Sequence, residues 1–232
     1  MADQGVSNER RRELEQMDPF QANLIKGLTY ASKYKKQLML GLGALGVVLV
    51  LFLTVMYSFQ KAETTAATLA ARAGTAYDAA YSKNQDAQAA YEAVQEAYQQ
   101  LFEEYANTTA GRMAQVTYAK ICANAKDWES AYTYYANALE HFDNEAGMQN
   151  MILAALGNMA LMKKDVKKAK SFYLRIEKGA SPLMKDEARF ALAQIYESDN
   201  DMASGLKMYE KILQDNENSL YAAIAQAKSQ GN

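Results

Sequence analysis

The segment WESAYTYYANAL, residues Trp128–Leu139, combines small and aromatic residues at helical spacing. Ala131 is followed by Tyr135 four positions later and by Ala138 three positions beyond that, so all three lie on one face of an α-helix. The pattern predicts an amphipathic helix whose tyrosine packs against a neighbouring helix.

The same pattern recurs along the chain, with a tyrosine at its centre each time. The four tyrosines follow one another at intervals of 37, 38 and 36 residues and are Tyr98, Tyr135, Tyr173 and Tyr209. Three residues beyond each tyrosine, the positions are again apolar: Leu101, Ala138, Ile176 and Ile212. A period of this length, held over four copies, indicates internal repeats that stack on one another.

A second helical pattern precedes each of the last three copies. Its members read Tyr118-Ala119-x-x-Cys122, Leu156-Gly157-x-x-Ala160 and Leu192-Ala193-x-x-Tyr196. The small second residue of each lets a neighbouring helix approach closely. Short polar turns at residues 125–127, 163–165 and 199–201 join the two patterns. The predicted unit is therefore a helix, a turn and a second helix.

This unit resembles the tetratricopeptide repeat, a helix–turn–helix of about 34 residues. The resemblance covers residues 62–219 and is strongest over 112–219. It implies an all-α fold, a right-handed superhelix of tetratricopeptide-like repeats. The sequence departs from the family in its longer period, in having the helix-ending proline only at Pro182, and in Gly205, which should loosen the fourth repeat. A final helix that covers the last repeat is predicted by Leu220, Ala223, Ile224 and Ala227.

An apolar stretch lies upstream of the repeats. Leu38–Phe59 contains no charged residue over 22 positions. As a helix it extends about 33 Å, enough to cross a hydrocarbon core of roughly 30 Å. We therefore predict an N-terminal segment at 1–37, a transmembrane helix at 38–59 and an extracytoplasmic repeat domain at 60–232. Within the first segment, Asp18-Pro19 indicates the start of a short juxtamembrane helix.

The alternative for this stretch is a cleaved signal peptide. Such a peptide has a shorter apolar run and a small-residue cleavage site, and the 37 preceding residues argue against it. Lys33, Lys35 and Lys36 flank the run on its N-terminal side, against Lys61 alone on the other. The positive-inside rule then places the N-terminus in the cytoplasm and the repeats across the membrane.

Residue composition gives no sign of catalysis. The chain has one histidine and one cysteine, so we predict no metal site, no cofactor and no catalytic residue. Cys122 falls at a repeat position expected to be buried, and His141 falls near a helix end expected to face solvent. The net charge of −2 argues against a nucleic-acid partner, and nothing indicates a small-molecule substrate.

Two further motifs have ordinary explanations. Gly41, Gly43 and Gly46 match GxGxxG, but that fingerprint is meaningful only between a strand and a helix, and here it lies in the predicted span. Basic residues crowd Lys163–Lys178. A solvated helix face is the simplest interpretation of that cluster, while an acidic partner or lipid headgroups stay open.

The resemblance also implies a binding surface. In tetratricopeptide superhelices the first helix of each pair lines a concave face. The corresponding positions here are Met113, Val116 and Lys120, then Met151, Ala154 and Asn158, then Glu187, Phe190 and Gln194. This lining is largely apolar with a few amides, and suits an apolar helix or an extended polypeptide segment. The alternative is that several of these side chains pack between repeats.

The layout as a whole resembles a bacterial family of inner-membrane proteins that are ancillary subunits of the Sec translocon. That resemblance implies a scaffold or holdase in the inner membrane, with the repeat domain in the periplasm. Its expected partners are the translocon, emerging polypeptides and periplasmic chaperones. A scaffold for another envelope complex, an import receptor of reversed topology, and an enzyme of an unrecognised class are the alternatives.

Overall fold

The structure, a computed structural model, describes residues 19–216 and 218–231, without the side chains of residues 19–22 and 84. The chain divides into two compact units, residues 1–58 and 59–232. Asp18, the predicted cap of the first helix, lies outside the described residues.

The first unit contains helix α1 (Pro19–Lys33) and the beginning of helix α2 (Lys35–Asn84). The Tyr34 amide donates to the Tyr30 carbonyl at 3.0 Å, and the Leu38 amide donates to the Tyr34 carbonyl at 2.9 Å. Backbone hydrogen bonding therefore continues from one helix into the next.

Residues 38–59 of α2 are exposed throughout. Within this stretch the Thr54 hydroxyl donates to the Val50 carbonyl at 2.8 Å, so this side chain needs no water as a hydrogen-bond partner. Among the described residues, this is the one helix whose length and composition would allow it to cross a membrane.

Every element of the second unit, within its described part, is an α-helix. After α2 come α3 (Ala87–Glu92), α4 (Gln95–Tyr105), α5 (Thr109–Asn124), α6 (Trp128–Leu139), α7 (Ala146–Met162), α8 (Val166–Lys178), α9 (Lys185–Ser198), α10 (Met202–Asp215) and α11 (Ala222–Ser229). Helices α5 and α6, α7 and α8, and α9 and α10 pack as pairs joined by short turns. The predicted helix–turn–helix repeats are confirmed.

The three polar turns share one conformation. Lys126, Lys164 and Asn200 each adopt a left-handed φ, between 61° and 63°. The next residue is an aspartate whose carboxylate accepts a hydrogen bond from the backbone N–H three positions on, at 3.0–3.2 Å. This aspartate caps the second helix of the pair. The turn conformation therefore recurs along the chain with the same period as the helices.

The four repeat tyrosines form the centre of the core. Tyr98, Tyr135, Tyr173 and Tyr209 are all buried. Burial raises the pKa of Tyr98 and of Tyr135 to about 12. At Gly157 an added Cβ would lie 2.6 Å from Cζ of the Tyr173 ring, which explains the small residue predicted there. The aromatic ring and the small residue therefore fit together across the α7–α8 pair.

Beyond residue 59, helix α2 packs against the repeats. Ala66 and Ala73 are buried. The Glu63 carboxylate accepts hydrogen bonds from the Thr109 and Ala110 amides, at 2.8 and 2.6 Å. These amides open helix α5, where free N–H groups and the helix dipole favour a negative charge. Glu63 thus fixes the N-terminal part of the second unit to the first complete repeat pair.

The prediction of which face of the last helix packs against the repeats was wrong. Helix α11 packs against α10, and its Ala225 is fully buried. The four residues predicted to cover the last repeat are instead exposed: Leu220, Ala223, Ile224 and Ala227. A hydrophobic stripe shows that a helix has an apolar face, but it does not show what that face contacts.

Candidate functional site

The nine predicted groove residues lie on three equivalent helices, α5, α7 and α9. On each helix they are three and four positions apart and therefore share a face. Equivalent positions in successive repeats form three rows. The rows are Met113, Met151 and Glu187, then Val116, Ala154 and Phe190, then Lys120, Asn158 and Gln194.

The two outer rows reach solvent. Met113 is 39% exposed and Met151 is 46% exposed, which is high for methionine in a folded domain. Lys120, Asn158 and Gln194 are exposed as well. In the middle row Val116 and Phe190 are half-buried. Ala154 is only 1% exposed, so its side chain belongs to the core and offers no contact surface.

A polar contact crosses three helices at the centre of this surface. The Tyr173 hydroxyl on α8 donates to Oδ1 of Asn158 on α7, at 2.8 Å. The amide of Asn158 donates in turn to Oε1 of Glu187 on α9, at 3.1 Å. Burial, followed by the nearby Glu187 carboxylate, raises the pKa of Tyr173. Sequence reasoning identified Tyr173 as a core residue and missed its role in orienting this contact.

Phe190 contributes to packing as well as to the surface. Its ring stacks on Tyr221 with centroids 4.6 Å apart, and it meets Tyr209 edge-on at 6.2 Å. Burial, followed by Glu187, raises the pKa of Tyr221. Tyr221 comes just before α11, so the first half of α9 and the start of α11 adjoin at this surface.

The surface continues onto α11. Ala114, Ile152, Ala188 and Ala225 are equivalent buried positions. That register adds Ile224 to the row of Met113, Met151 and Glu187, and Ala227 to the row of Phe190. Ile224 is 47% exposed and Leu220 is 95% exposed. We use the term concave groove for the predicted binding surface, which comprises the eight predicted positions other than Ala154 together with Leu220, Ile224 and Ala227. The sequence could have predicted this extension, because adding one more repeat interval to Glu187 leads to Ile224.

Two lysines of the basic cluster Lys163–Lys178 contact neighbouring repeats. Lys163 forms an ion pair with Glu129, and Lys170 forms one with Asp199 at 3.3 Å. The Lys170 ammonium also lies 4.1 Å from the centroid of the Tyr196 ring. These contacts agree with a solvated helix face that bridges repeats.

The remaining reactive side chains lie apart from the groove. Cys122 is fully buried, as expected, and burial raises the pKa of its thiol to about 12. His141 is exposed. No group of three or more metal-ligating side chains was found within residues 19–216 and 218–231.

Comparison with known proteins bears on the fold. No protein-family model matches the chain, and no curated protein matches it. Among solved structures it resembles a tetratricopeptide repeat protein from Parabacteroides merdae, with a TM-score of 0.52 and 16% identity over 67% of this chain and 59% of that one. It also resembles BtubC (BKLC) from P. vanneervenii, with a TM-score of 0.48 and 18% identity over 66% of this chain and 61% of that one.

The fold is that of a tetratricopeptide-repeat protein. This confirms the fold class predicted from the repeat period. The chain spans about three fifths of the length of the two similar structures, and the likeness concerns the fold alone.

Proposed function

We propose that this protein is a membrane-anchored scaffold, or holdase, that binds polypeptide segments in the concave groove. The observation that carries the proposal is a row of three exposed apolar side chains, Met113, Met151 and Ile224, at equivalent positions of α5, α7 and α11. Methionine is flexible and polarisable, so such a row can accommodate apolar side chains of varied shape.

The anchor is residues 38–59. An uninterrupted apolar helix with no partner among the described residues is unfavourable in water and favourable in a bilayer. We place the N-terminus in the cytoplasm, the anchor in a bacterial inner membrane and the repeats in the periplasm. The sequence resemblance to ancillary Sec-translocon subunits supports a position beside a protein-translocation complex, where the groove would receive emerging polypeptides or chaperones.

Topology and partner identity need separate experiments. A reporter fused to the C-terminus should be active only as a periplasmic enzyme, such as a phosphatase. A reporter active in the cytoplasm would contradict the translocation role.

A photo-crosslinking residue at position 151 or 190 should capture polypeptides in growing cells, for identification by mass spectrometry. The translocation role predicts translocon subunits, chaperones or many emerging chains among the products. Capture of one fixed envelope protein alone would contradict it and favour a dedicated scaffold. The matched control is the same residue at position 202, which is 59% exposed and lies on the second helix of the fourth repeat.

A further inference from the structure

The concave groove contains one acidic side chain among its eleven positions. Glu187 occupies the same row as Met113, Met151 and Ile224 and falls between two of these apolar neighbours. The row is therefore apolar on both sides of a carboxylate. This inference rests on the proposed function, polypeptide binding in the groove. In that function the carboxylate determines which polypeptide segments the groove accepts.

The Glu187 carboxylate is held in place but not neutralised. Its Oε1 accepts the hydrogen bond from Asn158 at 3.1 Å, and Asn158 is itself fixed by the Tyr173 hydroxyl at 2.8 Å. Glu187 takes part in no ion pair among the described residues. An amide donor leaves most of the negative charge uncompensated.

The surroundings of this carboxylate are aromatic and apolar. The Phe190–Tyr221 stack lies on the same side of α9, with centroids 4.6 Å apart. Glu187 and the Tyr173 hydroxyl both hydrogen-bond to the side-chain amide of Asn158, so the carboxylate lies close to that phenol. Glu187 is half-buried even without a bound partner.

An apolar segment that lay along this row would remove the remaining water from the carboxylate. Burying an unpaired charge is costly, whereas a cation in the segment would replace the lost water with an ion pair. An acidic or purely apolar segment has no such compensation. Charge complementarity therefore selects among segments that fit the apolar positions equally well.

We propose that the concave groove binds an apolar polypeptide segment that carries a lysine or arginine. The basic side chain pairs with Glu187. The apolar side chains on either side of it contact Met113 and Met151 in one direction, and Leu220 and Ile224 in the other.

The test uses the full chain in detergent or lipid nanodiscs and three fluorescent peptides. The peptides are identical apart from a central lysine, glutamine or glutamate between leucine-rich flanks. Fluorescence anisotropy should show the lysine peptide binding at least about tenfold more tightly than the glutamate peptide. This ratio is the expected difference in affinity between a favourable charge pair and a like-charge contact. Glu187→Lys should reverse that order, and Glu187→Gln should reduce the difference to a few-fold.

Glu210→Lys is the matched control, since it makes the same charge change at an exposed position of α10. This variant should preserve the wild-type order of the peptides. A Glu210→Lys variant that reversed the order would overturn the proposal, because net charge rather than Glu187 would then set the preference.

Three results separate this inference from the function on which it rests. Equal binding of all three peptides to the wild type overturns the charge selection but keeps the groove function. No binding of any peptide overturns both. Sedimentation can be used to detect a second copy of the chain in the groove. Competition between that copy and the peptides would overturn the proposal that a polypeptide segment is the occupant.

Discussion

The junction between the first two repeats is filled with aromatic rings, whereas the junction between the last two is crossed by a network of charges. In the first, Tyr118 on α5 lies 4.7 Å from Tyr98 on α4 and 4.9 Å from Tyr134 on α6, measured between ring centroids. Phe102 completes the cluster, 5.2 Å from Tyr134. Offset and edge-on arrangements of this kind favour close packing of rings.

At the second junction the central residue is Arg189 on α9, which is only 4% exposed. Its guanidinium donates to Glu177 on α8 at 2.7 Å, and to Asp215 on α10 at 2.6 Å. It also donates to the Lys211 carbonyl at 3.0 Å, while the Lys211 ammonium pairs with Glu177. Three consecutive helices are thus joined by one guanidinium.

The contrast shows that equivalent junctions in one array of repeats can be stabilised by two different kinds of interaction. Aromatic packing depends on shape and buried area, and it responds little to acid. A buried charge network depends on every member being present and ionised. The charged junction also lies on α9, the helix that carries Glu187, so conditions that weaken it should affect the end of the groove first.

The largest effect is expected at the aromatic junction. Tyr118→Ala removes a ring that is 1% exposed and should lower the free energy of unfolding by about 4 kcal/mol. The measurement is urea unfolding of the full chain in detergent, followed by circular dichroism. Tyr118→Phe keeps the ring and should cost about 1 kcal/mol. If the alanine variant were as stable as the phenylalanine variant, the aromatic cluster would not hold this junction.

A slightly smaller loss is expected at the charged junction. Arg189→Met leaves Glu177 buried with one partner fewer and should cost about 3 kcal/mol in the same unfolding experiment. The double variant Arg189→Met, Glu177→Met removes the stranded charge and should recover most of that loss. A double variant as unstable as the single one would mean that packing, rather than charge, dominates here.

The α7–α8 pair, which lies between these two junctions along the chain, offers a steric comparison. Gly157→Ala places a methyl group 2.6 Å from the Tyr173 ring and should cost about 2 kcal/mol through overpacking. Gly147→Ala is the matched control in the same helix, because its new Cβ would meet Leu183 at an ordinary 3.5 Å. Thermal melts should separate the two variants, and equal melting temperatures would contradict the close fit at Gly157.

The smallest effect is expected from acid. Burial alone would raise the pKa of Glu177, but hydrogen bonds from Lys211 and Arg189 outweigh it and hold that pKa below its usual value. The stability this provides is present above the unfolded-state pKa of about 4.3 and is lost as the pH falls through the lower folded-state value.

Comparing variants assigns the acid effect to one junction. Unfolding measured between neutral pH and about pH 3 should show a shallower acid loss in Arg189→Met than in wild type. Tyr118→Ala should keep the wild-type slope. Identical slopes in all three proteins would show that the charge network contributes nothing to the pH dependence.

The repeat architecture was predictable from the sequence because its signals are local and periodic. The four buried tyrosines and the positions of the polar turns follow from spacing along the chain. The apolar helix at 38–59 follows from its length and its lack of charged residues. The groove positions stay a prediction, made from that same register and from the face that the resemblance implies.

What the sequence did not reveal depends on contacts between distant residues. The stripe of Leu220 and Ile224 showed an apolar face, but only the burial of Ala225 identified a different face as the packed one. The Arg189 network joins residues up to 34 positions apart, among many other charged residues with similar spacing. Similarly, Tyr173 could be assigned to the core, but its hydrogen bond to Asn158 could not be foreseen.

The central claim is that the exposed row of the concave groove binds polypeptide. It is tested most directly by comparing two matched substitutions, Met151→Asp in the groove and Met202→Asp on the second helix of the fourth repeat. In an anisotropy titration of the full chain with the lysine-centred apolar peptide, Met151→Asp should weaken binding at least about tenfold, the scale of losing a central apolar contact. Met202→Asp should bind as the wild type does. Equal affinities for the two variants would contradict polypeptide binding by the exposed row of the groove.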